Sequence, residues 1–136
     1  MHPNRFYRTV MRACGLDDFA RAERATAVVF ETLRKRLTVE EAAHVGDQLP
    51  VPLKAVWGQG DPAHRLPIKM DLDEFCARVR QEAGLASATQ ARWVALGVFA
   101  ALKEQLSLGE GGDVFSQLPR DLKELWVEAQ AVAAER

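Results

Sequence analysis

Between Phe19 and Leu37 the residues Phe19, Ala22, Thr26, Val29, Phe30, Leu33 and Leu37 recur at steps of three and four. That spacing gathers them on one stripe of a helix of about five turns, and no run of alternating polar and apolar positions competes as a strand. A helix from about Asn4 to Cys14 precedes it and is predicted to end at Gly15, because glycine takes the left-handed turn after a helix without a steric penalty. Thr38-x-x-Glu41 then opens a third helix as a capping box, in which the hydroxyl and the carboxylate each satisfy a free backbone amide. After Leu49-Pro50 a short fourth helix is expected, with the proline in its first turn and Leu53 and Trp57 one turn apart on one face.

The same order returns 69 residues later without a gap: Phe6 falls on Phe75, Gly15-Leu16 on Gly84-Leu85, Gln48-Leu49-Pro50 on Gln117-Leu118-Pro119, and Trp57 on Trp126. Seventeen of the 52 positions from 6 to 57 are identical at this offset, where residue usage alone gives roughly three. Asp71-x-x-Glu74, Ser87-x-x-Gln90 and Ser107-x-x-Glu110 mark helix starts in the second copy. The expected fold is all-α, two tandem pseudo-symmetric helical modules of about four helices each, packed as one bundle. Module one covers 1–57 and module two 71–136; the segment 58–70, with Gly58, Gly60, Pro62 and Pro67, is the linker. A module of this size alone would bury only about 60% of its unfolded surface, which favours packing of the two on each other.

These tandem residues, above all the paired Gly-Leu, Gln-Leu-Pro and Trp positions, resemble the DUF2267 family, small bacterial all-α proteins of duplicated helical modules. The resemblance runs from Phe6 to Trp126 and implies a fold without an activity. The chain departs from the family pattern at Gly109-Glu-Gly-Gly112, where alanines or charged residues are usual. Three glycines cost a helix roughly 2–3 kcal/mol relative to alanine, so the third helix of module two is expected to be the most mobile.

The composition, 48% hydrophobic with 18 Lys+Arg against 19 Asp+Glu, excludes a disordered chain, and two cysteines exclude a disulfide scaffold. Cys14 and Cys76 lack any CxxC spacing and are expected to be reduced and buried. A net charge of −1 supplies no general attraction to nucleic acid or an anionic bilayer. The longest apolar stretch, Trp93 to Leu102, is half a membrane span, so no membrane association is expected. The amino-terminal residues carry no signal-peptide pattern, and the expected location is the cytoplasm.

The charge divides unevenly, nine basic and seven acidic residues in 1–57 against seven and eleven in 71–136, which favours docking within or between chains. The helix beginning at Ser87 has a second apolar face, Trp93, Leu96 and Ala100, where module one has Arg24, Ala27 and Glu31. This face either meets module one or forms the seam of a homo-oligomer or protein-partner complex. A non-enzymatic protein acting through self-association or a partner is therefore the first expectation.

Glu41-Ala-Ala-His44 has the Glu-x-x-His spacing of carboxylate-bridged metal sites. Module two has Glu110 and Asp113 at these positions, but the further inward carboxylates of such sites are not evident, and capping already occupies Glu41. The sequence thus assigns no metal and no cofactor, and His44 is expected in water. An alternative is a small-ligand or metal site in the inter-module crevice with Gly109–Gly112 as a lid. Arg5, Arg8 and Arg12 share one helix face, joined by Arg21 and Arg24, and are possible phosphate contacts. Nearby Asp17, Asp18 and Glu23 favour instead a solvated face or one docking on the acidic module, so nucleic acid is not the expected partner. His2 and His64 fall in flanking and linker sequence and suggest no catalytic pairing.

Overall fold

The structure, a computed structural model, describes residues 3–58 and 65–134, with side chains from 5 to 129 within them. His2, His64 and the linker residues 59–64 lie outside the described residues. Among those described there are eight helices and no strand: α1 (Pro3–Cys14), α2 (Phe19–Arg36), α3 (Val39–Asp47), α4 (Val51–Gly58), α5 (Leu72–Ala83), α6 (Ala88–Lys103), α7 (Leu108–Ser116) and α8 (Arg120–Ala134). Local chemistry sets their limits. Gly15 and Gly84 adopt φ of +73° and +67° beyond the ends of α1 and α5, the left-handed conformation that stops a helix. Asp18, Thr38, Asp71, Ser87 and Ser107 accept backbone N–H groups at the starts of α2, α3, α5, α6 and α7.

The two halves interlock. α1 packs mainly on α6, and α5 is shared between α6 and α2, so the first helix of each half lies on the second helix of the other. Phe6 meets Phe30 edge-on at 5.7 Å between ring centres, and Phe75 meets Phe99 at 5.8 Å. Phe30 and Phe99 in turn stand 5.2 Å from Trp57 and Trp126. Beside each tryptophan a cation on the second helix of the half reaches the fourth: Arg34 donates to the Trp57 carbonyl near the end of α4, and Lys103 Nζ to the Trp126 carbonyl within α8 at 2.8 Å. The rings and aliphatic side chains of both halves form one continuous core, the outcome favoured for modules too small to stand alone.

Of the two alternatives for the second apolar face of α6, burial within the chain holds for Leu96 and Ala100, which are therefore not available to a partner as seam residues, and α1 packs across α6. Gly97 permits the close approach, since a Cβ there would stand 2.9 Å from Ala13 Cβ and 3.1 Å from the Val10 carbonyl oxygen. Trp93, at the open end of that face, is 43% exposed.

The linker's described part is laid down on the protein. Ile68 N–H donates to the Lys35 carbonyl at 2.7 Å and Arg65 to the Leu37 carbonyl at 2.6 Å, closing backbone groups left open at the end of α2. No single helix among the described residues is long and apolar enough to cross a membrane.

Candidate metal centre

The starts of α3 and α7 face each other at the junction of the halves, and their caps explain what lies between them. Thr38 Oγ1 accepts the Glu41 N–H at 3.1 Å, and Ser107 Oγ accepts the Glu110 N–H at 3.1 Å. The reciprocal half of each capping box, expected from the glutamates, is made by the opposite half of the molecule. Thr38 N–H donates to Gln117 Oε1 at 3.0 Å, and Ser107 N–H donates to Gln48 Oε1 at 2.8 Å. Each glutamine also donates back to the hydroxyl it faces, at 3.4 Å for Thr38 and 3.3 Å for Ser107. The glutamines of the two Gln-Leu-Pro motifs therefore cap the other half's helix, and both glutamates are released from that duty.

Released, Glu41 and Glu110 turn inward. They are 6% and 9% exposed, and the Oε2 atom of each is buried without a hydrogen-bond partner. A buried, unpartnered carboxylate oxygen costs free energy, and a shared proton or a bound cation stabilises such a pair. Burial first, then hydrogen bonding to Glu110 and its charge, and last the charge of Asp113 push the Glu41 carboxyl up to about 8 from its ordinary 4.5. His44, one turn beyond Glu41 on α3, brings an imidazole to the same place. One ligand atom from each of Glu41, His44 and Glu110 lies within 4.8 Å of the others.

Three such atoms around a tetrahedral zinc-like ion would stand about 3.4 Å apart. Closing the difference takes shifts of about 1 Å, within reach of His44, which is exposed and free to change rotamer. Asp113 is exposed at the position of α7 equivalent to His44, near enough for its charge to bear on the Glu41 carboxyl.

The sequence singles out Glu41 and His44 and puts Glu110 and Asp113 at the matching positions 69 residues on; what only the structure shows is that Glu110 is brought to Glu41. The other candidates are not brought together here. Arg5, Arg8 and Arg12 are exposed on α1, and Arg5 faces Glu104, the C-cap of α6, at 3.9 Å. An exposed pair of this kind contributes little energy.

The fold is an all-α bundle whose halves meet over two buried carboxylates, with an exposed imidazole beside them. Residues 3–125 match the family described as uncharacterised conserved proteins, DUF2267, and the chain belongs to it. No curated protein matches the chain.

Proposed function

We propose that the protein is a non-enzymatic helical protein that binds a divalent cation at the junction of its halves, through Glu41, Glu110 and His44. The observation that carries this is the pair of buried carboxylate oxygens without partners, one from each half, on a centre that also holds an imidazole. A donor set of two carboxylates and one imidazole suits a first-row ion such as Mn2+ or Zn2+ better than Ca2+ or Mg2+, which prefer oxygen alone. The two halves are read as copies of one module. In this reading duplication set the glutamates face to face, and divergence at position 44 against 113 gave the centre its imidazole.

Titration calorimetry of metal-stripped protein with Mn2+ and with Zn2+ tests the proposal. One equivalent of ion should bind, with affinity falling at least tenfold in Glu110→Gln. No binding at millimolar ion, or binding that Glu110→Gln leaves unchanged, contradicts it.

A second reading, self-association, rests on Trp93 alone of the three residues expected at the seam, because 43% exposure is high for a tryptophan in a bundle. Native mass spectrometry of Trp93→Glu should then show loss of an oligomer present in the wild type. A wild-type monomer would remove this reading.

A further inference from the structure

α7 is poorly supported by its own sequence. Gly109, Gly111 and Gly112 occupy three of its nine positions, yet a Cβ at any of them would meet nothing within 4 Å. No close approach therefore requires glycine there, and each weakens the helix through the backbone entropy it must lose. Packing returns little. Only Glu110 and Val114 of α7 are buried, against Glu41, Ala42, Val45 and Gly46 in α3, and Leu108 is 97% exposed. Of its two buried residues, Glu110 opposes docking as long as its Oε2 has no partner. The contacts that hold the start of α7 to the other half are the Gln48 hydrogen bonds to Ser107, which are solvent-exposed.

We propose that α7 is ordered by the cation: it docks as a helix when an ion joins Glu110 to Glu41 and His44, and unwinds from α3 when the site is vacated. This rests on the cation-binding function proposed above and adds its regulation. An ion at the centre converts the carboxylate that resists docking into the one that secures it, so ion binding and helix formation become one equilibrium. The glycines set the balance point of that equilibrium. The face of α7 turned to solvent, with Leu108 at its start, is then presented in an ordered form only in the ion-loaded state.

Amide hydrogen exchange on the full chain, with and without Mn2+, tests this beside a Gly109→Ala/Gly111→Ala/Gly112→Ala variant. In the wild type, Mn2+ should slow exchange across 108–116 at least tenfold, with a smaller change across 39–47. The triple variant should show protection of 108–116 without ion and bind Mn2+ roughly 10- to 100-fold more tightly, because less ordering remains to be done on binding. If Mn2+ binds but 108–116 exchanges equally with and without it, and the variant's Kd stays within twofold, the coupling is overturned while the cation site stands. If neither chain binds Mn2+, the cation site falls and the coupling with it.

Discussion

In the Gly109→Ala/Gly111→Ala/Gly112→Ala background, which keeps α7 docked without an ion, replacing Glu41 by glutamine should stabilise the metal-stripped protein at alkaline pH while removing its affinity for a cation. With α7 docked, the folded protein holds this carboxyl neutral up to about pH 8, whereas an unfolded chain ionises it near its ordinary 4.5. For an acid whose pKa is raised by folding, the stabilisation is complete below the unfolded value and is lost as pH rises through the folded one. At 1.36 kcal/mol per pH unit, raising the pH from 6 to 8.5 removes about 2.5 kcal/mol. In a chain of this size that corresponds to a fall in Tm of about 5–10 °C. Glu110, Asp113 and His44 share the surroundings, so the variant is the control that isolates Glu41. A glutamine of equal size stays neutral and can donate its amide to Glu110. Melting followed by circular dichroism with chelator present should show a Tm that falls between pH 6 and 8.5 in the triple-alanine chain and is nearly flat once Glu41→Gln is added, which gives the more stable protein at pH 8.5. A triple-alanine Tm that is constant or rises over this window, or a lower stability with Glu41→Gln at pH 8.5, would refute the burial argument.

Gly97→Ala should lower stability by about 1–3 kcal/mol in denaturant melts, because its methyl would drive into Ala13 and the Val10 carbonyl where α1 crosses α6. Trp57→Ala and Trp126→Ala should each cost about 3–5 kcal/mol; both indoles are buried, and Trp57 Nε1 also donates to the Ala42 carbonyl at 2.7 Å. Gln117→Ala leaves the Thr38 N–H without its partner and should cost about 1 kcal/mol, with faster amide exchange at the start of α3 as the local readout.

Much of the fold is legible in the sequence because its signals are local. The stripe from Phe19 to Leu37, the glycines at 15 and 84 and the Thr, Asp and Ser caps each act over a turn or two, and each marks a helix limit the structure reproduces. What the chain does not show locally is partnership between distant segments. The Thr38-x-x-Glu41 spacing fits a self-contained capping box, and Asp71-x-x-Glu74 is one, with both of its bonds formed. At Thr38 and Ser107 a glutamine from the other half takes the carboxylate's place, which no spacing within nine residues reveals. The apolar second face of α6 has the same ambiguity. Its periodicity demands burial but cannot say whether α1 or a second molecule covers it, and Gly97, which fits α1 specifically, draws notice only once the crossing is seen. The proposed centre at Glu41, Glu110 and His44 was half legible for this reason: the pair on α3 stands out and the duplication points to Glu110, but nothing local shows that the two glutamates meet.

The most direct test of the account is an anomalous-difference map from crystals grown or soaked with Mn2+, measured on the full chain. The account predicts one strong peak between the Glu41 and Glu110 carboxylates, within coordination distance of the His44 imidazole, and its absence in crystals of Glu110→Gln prepared in the same way. A wild-type map with no peak at the junction of α3 and α7, at ion concentrations that populate other sites on the surface, would contradict it.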